Sequence, residues 1–97
     1  MLRLNDPVHP GALIKEELGH LGNTKAQAAE ALDVTRKQLH KVITGRSSLT
    51  PEMALRLEKA IGSTADTWLQ MQTNYDLAQI RKRSAEIRVM RMESRIS

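Results

Sequence analysis

The chain contains no cysteine. Disulfide scaffolds, cysteine-based zinc sites and thiol nucleophiles are thereby excluded. Phenylalanine is also absent, and there is one Trp and one Tyr, so the core has to be built from Leu, Ile, Val, Ala and Met. That composition favours packed helices over sheets. No run approaches the ~18 uninterrupted apolar residues of a membrane span. The first ten residues, MLRLNDPVHP, lack the apolar segment of a secretory signal. The expectation is a cytoplasmic protein with no membrane association. Strand signals are nearly missing too, since no period-two run survives four residues. What remains is 97 residues, 40% of them hydrophobic, enough for one domain with one modest core.

The formal net charge is +4, and its distribution is uneven. From Ala78 onward six basic residues stand against two acids, Glu86 and Glu93, so this tail carries the whole net charge. The remainder is neutral but polarised. Its segment 24–46 holds Lys25, Arg36, Lys37, Lys41 and Arg46 against Glu30 and Asp33. A basic stripe on an otherwise acidic body suits a polyanion, most simply nucleic acid, or else forms a solvated helix face.

Helix signals recur five times, which defines an all-α fold. The first helix opens at Pro10, which has no N–H to leave unpaired there. Its apolar positions are Ile14, Leu18 and Leu21, and Gly22 closes it. Thr24 caps the second, with Gln27 as its box partner, and Ala28, Ala29 and Leu32 face inward. Thr35 and Gln38 repeat the box for the third, whose inner residues are Leu39, Val42 and Ile43, with Gly45 at its end. Thr50 and Pro51 open the fourth, with Met53, Ala54, Leu57, Ala60 and Ile61 as its buried stripe and Gly62 as its stop. The fifth begins near Ala65 behind a Ser63 or Thr64 cap. No Gly or Pro follows, so it is expected to continue as a helix through the basic tail. The expected division is an arm at 1–9, a domain at 10–77 and a basic helical extension at 78–97.

Two features of the second and third helices carry the functional reading. Only Leu32, Asp33 and Val34 join them, and so short a turn forces the helices to cross at roughly 90–120°. The third helix is also two-faced. Opposite its aliphatic side lie Arg36, Lys37, His40, Lys41 and Thr44. A short helix with a cationic outer face, braced by a crossed helix, fits a DNA major groove about 12 Å wide.

The stretch TKAQAAEALDVTRKQLHKVITGR resembles the helix-turn-helix of the Cro and phage-repressor family. Thr24, Ala29, Leu32, Val34, Thr35, Leu39 and Gly45 fall at that family's spacing. Three positions depart from it: Lys25 replaces a frequent Gln, Asp33 a turn Gly, and Ile43 a Glu. The resemblance extends over residues 7–80. HPGALIKEEL and VTRKQLHKVITGRSSLTPEMALRLEKAIGSTADTWLQMQTNYDL are similar throughout to the HigA (VapI-like) antitoxins. That resemblance implies a five-helix all-α repressor, homodimeric on operator DNA, which also neutralises a HigB-type ribonuclease toxin.

The residues expected to touch base edges are Arg36, Lys37 and Lys41, since Arg and Lys reach guanine O6 and N7 from the major groove. Gln38 is a fourth candidate, able either to close the capping box or to read adenine. Thr24, Lys25, Thr35, His40 and Arg46 are expected at phosphates, because helix starts and short loops present N–H groups and charge. Leu55, Leu77, Ile80 and Ile87 are candidates for dimer or toxin contact. The acids Glu16, Glu17, Glu52, Glu58, Asp66 and Asp76, rather than the cationic third helix, suit a basic toxin.

Catalysis is not expected. Glu16 and Glu17 point in different helical directions, and Ser47 and Ser48 have neither elbow glycines nor a base. His9, His20 and His40 lack metal-ligand spacing, so no metal or other cofactor is expected. His9 belongs to the entry turn, and Met53, Met71, Met90 and Met92 are expected to fill packing gaps. Two other functional classes fit the same residues: a stand-alone Cro-type regulator without a toxin, and a helical interaction module that does not bind DNA.

Overall fold

The computed structural model describes residues 7–94. Five α-helices follow in order: α1 (Pro10–His20), α2 (Lys25–Leu32), α3 (Arg36–Ile43), α4 (Pro51–Ile61) and α5 (Ala65–Arg81). There is no strand among the described residues. All five helices are capped by a side chain, four by threonine and α1 by the histidine that the entry turn supplies, and each cap satisfies an otherwise orphaned N–H. His9 caps α1, its Nδ1 accepting from the Gly11 N–H at 2.9 Å. The His9 ring also meets Tyr75 of α5 edge-on, with centroids 5.1 Å apart. Thr50 and Thr64 cap α4 and α5 by accepting from Met53 and Thr67.

The helices close around one core. Ile14, Ala28, Ala29, Leu32, Leu39, Val42, Ile43, Leu49, Met53, Ala54, Leu57 and Trp68 are buried in it. α1 packs on α3 and α5, and α2 packs on α3 and α4. The α1–α3 approach depends on Gly11. A Cβ there would stand 2.1 Å from the Val42 carbonyl oxygen and 2.9 Å from the Ile43 Cα. No side chain larger than hydrogen fits at that separation.

Three polar contacts between separate elements fasten the loops, and none of them was expected from the sequence. The Arg56 guanidinium on α4 donates to the carbonyls of Leu32 and Asp33 at 2.9 and 3.1 Å, and to Glu52 at 2.8 Å. Gln72, buried on α5, accepts from the Leu49 N–H at 2.8 Å and donates to Asp76 at 2.9 Å. Glu58 accepts from the Ala65 N–H at 2.9 Å, placing a carboxylate at the positive end of α5.

Several expectations need correction. Leu21 is exposed, because α1 ends at His20 and the next residue turns off its buried face. Ala60 is exposed at the edge of the α4 stripe. The helix expected through 78–97 stops at Arg81. One 3-10 turn follows, Ser84–Glu86, braced by an Arg83–Glu86 ion pair at 2.9 Å. Residues 87–94 have no regular structure and are exposed, and residues 95–97 lie outside the described residues. Met53 and Met71 do fill core gaps, whereas Met90 and Met92 are 88% and 92% exposed. No helix among the described residues is long and apolar enough to cross a membrane.

Candidate nucleic-acid interface

The candidate surface is built on α2, its turn and α3. Both helices start with a complete reciprocal capping box. Thr24 Oγ1 accepts from the Gln27 N–H at 3.1 Å while Gln27 Oε1 accepts from the Thr24 N–H at 2.9 Å. Thr35 and Gln38 do the same at 3.0 and 2.8 Å. The α2–α3 turn passes through Asp33, whose φ of 56° and ψ of 48° are left-handed. Asp is among the few non-glycine residues that tolerate this region. Arg56 then ties the turn carbonyls to α4, so the α2–α3 crossing is held from a third helix.

This frame fixes which face of α3 is outward. Leu39, Val42 and Ile43 are buried, and Arg36, Lys37, Gln38, His40, Lys41 and Thr44 are exposed. Gln38 has its amide oxygen committed to the box, which leaves the NH2 as its outward donor. α3 closes on Gly45 with φ 75°. There the Arg46 and Ser47 N–H groups both bond to the Lys41 carbonyl, at 2.9 and 3.0 Å, and this sets Arg46 at the foot of the helix. Between α3 and the start of α4 is an open cleft of about 370 Å³, lined in part by Gln38, Lys41, Ser47, Ser48 and Arg56.

The charges at the starts of these two helices oppose their dipoles. Neither α2 nor α3 has an acid in its first turn, and they begin with Lys25 and with Arg36 and Lys37. A cation at a helix N-terminus is repelled by the positive end of the macrodipole. α4 and α5 follow the favourable rule, with Glu52 and Asp66 in their first turns. α1 has neither an acid nor a cation in its first turn, so a cation at the start is confined to the two helices of the motif. It concentrates positive potential where an anion would be received.

Of the residues expected at phosphates, the structure brings two together. Lys25 Nζ lies 3.3 Å from His40 Nδ1, joining the first residue of α2 to the fifth of α3. The candidates for protein contact are separated in space by the end of the helix. Leu55, Leu77 and Ile80 are 46%, 40% and 42% exposed on α4 and α5, while Ile87 lies beyond the end of α5 and the 3-10 turn. Among the acids considered for a toxin, Glu52, Glu58 and Asp76 are engaged by Arg56, Ala65 and Gln72.

Two crossed, capped helices with the second presented outward define a helix-turn-helix domain. The profile of the helix-turn-helix family matches residues 14–68. The chain belongs to that family, as a Cro/C1-type member of the HigA-like group. It is 42% identical over 90 residues to virulence-associated protein A′ of Dichelobacter nodosus, covering 91% of this chain and 78% of that one. An addiction module antidote protein of the HigA family from Coxiella burnetii matches with a TM-score of 0.77 at 36% identity, over 82% of this chain and 88% of that one. The Pseudomonas aeruginosa antitoxin HigA, solved with the higBA promoter, gives a TM-score of 0.76 at 26% identity, over 82% and 88%.

Proposed function

We propose that this chain is an antitoxin that represses its own operon, binding operator DNA as a homodimer and neutralising a basic HigB-type ribonuclease. The observation that carries the DNA reading is the outward cationic face of α3, set against the helix dipole and braced by two capping boxes and Arg56. On this reading α3 enters the major groove. Arg36, Lys37 and Lys41 meet base edges, and Gln38 offers its NH2 while its oxygen stays in the box. Thr24, Lys25, Thr35 and Arg46 serve the phosphates, with His40 beside Lys25. One such helix makes too few contacts for tight specific binding, so two copies would span half-sites about 34 Å apart. The exposed Leu55, Leu77 and Ile80 offer apolar surface for pairing.

The toxin reading rests on the family and on charge. A basic partner is repelled by α3, which leaves α1 and α5, where Glu16, Glu17 and Asp66 carry no intramolecular ion pair among the described residues.

The test is binding of Arg36→Ala and Lys25→Ala to operator and scrambled duplexes over a salt series. A good bidentate base contact discriminates by about 1–3 kcal/mol, so Arg36→Ala should lose operator binding selectively. Lys25→Ala should weaken both duplexes alike and reduce the salt slope by roughly 0.9 for each protomer bound, about 1.8 for the dimer. Equal weakening of both duplexes by Arg36→Ala would remove it from the reading surface. For the toxin, Arg36→Glu with Lys41→Glu should abolish duplex binding and spare capture of the product of the adjacent reading frame. A chain that binds operator but captures no such product is a stand-alone regulator.

A further inference from the structure

Lys25 occupies a position that is unfavourable for α2 itself. It is the first residue of a helix with no acid in its first turn, and its ammonium faces the positive end of the dipole. Among the described residues it has no carboxylate partner. Its one polar contact is the His40 ring, 3.3 Å away on the outer face of α3. An ammonium only donates, so Nδ1 accepts, and the ring in this arrangement is the neutral tautomer with its proton on Nε2. The contact is not needed to hold the two helices. Each is capped by its own box, and the turn between them is held by Arg56.

We propose that His40 is a positioning residue for the DNA-binding reading above. It holds the Lys25 ammonium over the outer face of α3, where a backbone phosphate flanking the groove would be met. A lysine on a four-carbon stem has many rotamers, and binding one phosphate restricts it to few. A lysine already held by an acceptor on the recognition helix has less freedom left to lose. The neutral ring adds no charge of its own, so the counterion release belongs to Lys25 and the geometry to His40. This replaces the expectation that His40 and Lys25 act as two independent phosphate contacts. The inference rests on the DNA reading, but the bridge itself can be observed without DNA.

The experiment has two arms. In the free protein, ring 15N shifts are recorded for the wild type and for Lys25→Ala. Removal of the ammonium should move the His40 Nδ1 resonance, and unchanged His40 shifts would overturn the bridge whatever the DNA does. In the second arm, His40→Ala, Lys25→Ala, the double variant and His40→Asn are titrated against duplex over a salt series. Circular dichroism melts confirm that each variant is folded. His40→Ala should weaken operator and scrambled duplex alike, by about three- to tenfold, with the salt slope nearly unchanged. In the Lys25→Ala background it should cost nothing more. Asn places its amide oxygen where Nδ1 stood, so His40→Asn should recover most of the affinity. Additive losses in the double variant would show that His40 meets DNA directly and would overturn the proposal. A wild type with no salt-dependent duplex binding, together with a Lys25-sensitive His40 shift, would instead remove the DNA reading.

Discussion

Gly11 and Gly19 lie on the same helix, and the same substitution should act on them with opposite sign. At Gly11 an added Cβ would stand 2.1 Å from the Val42 carbonyl oxygen and 2.9 Å from the Ile43 Cα. Both obstacles are backbone of α3, so no side-chain rotation relieves them. The helices must separate by an ångström or more, opening the core beside Ile14. Overpacking of this kind costs about 1–3 kcal/mol and at times more, and against backbone the upper end applies. At Gly19 nothing lies within 4 Å of the new atom, and Ala is favoured over Gly in a helix by about 0.5–1 kcal/mol. In a domain this small 1 kcal/mol moves Tm by about 4–8 °C. Gly11→Ala should therefore melt more than 10 °C below the wild type, and Gly19→Ala a few degrees above it. The assay is a thermal melt followed by circular dichroism at 222 nm. A Gly11→Ala protein melting within 2 °C of the wild type would show that α1 does not need this close approach to α3.

Asp33→Gly should raise stability by up to about 1 kcal/mol in urea denaturation, since glycine enters the left-handed region without the Cβ penalty. The 3.8 Å contact it would lose to Arg56 is exposed and worth little. Gln72→Leu should destabilise by about 1–3 kcal/mol despite its added hydrophobicity, because the buried Leu49 N–H loses its acceptor; an unchanged urea midpoint would mean that this N–H finds another partner. Ending the chain after Glu86 should leave the melting temperature within 2 °C of the full chain, since residues 87–94 are exposed; a larger drop would show that the tail contributes to the fold.

The sequence revealed the features whose causes are local. Thr24, Thr35, Thr50 and Thr64 each sit three residues before the N–H they receive, and Pro and Gly mark starts and stops by their own dihedral limits. The outward face of α3 was legible for the same reason: a helical period on eight residues separates Arg36, Lys37 and Lys41 from Leu39, Val42 and Ile43. Contacts that depend on tertiary placement were not legible. Arg56 lies 24 residues from Leu32, and Gln72 lies 23 from Leu49; on their own helices they read as an ordinary solvated Arg and an ordinary polar residue. The tail misled in the opposite way. Residues 78–97 hold helix formers and no breaker, but helical stability in proteins comes mainly from packing an apolar face. Beyond Arg81 no buried residue among those described anchors such a face, and three successive cations, Arg81, Lys82 and Arg83, repel one another there. The available signal was Ser84, a polar residue four positions after Ile80, where the apolar spacing of Leu77 and Ile80 would have to continue.

A glycine at the turn would satisfy the left-handed backbone with less strain, and Asp33 meets the same φ of 56° at some cost. In the structure the Asp33 backbone carbonyl and the neighbouring Leu32 carbonyl are the acceptors that Arg56 uses, while the Asp33 carboxylate is exposed and 3.8 Å from the guanidinium. Restriction of the turn is therefore supplied from α4, through a cation bonded to main-chain oxygens, and does not require any one side chain at the turn. The angle between α2 and α3 is thereby linked to α4. Movement of α4 would act on the α2–α3 turn through this guanidinium as well as through the direct packing of α2 on α4.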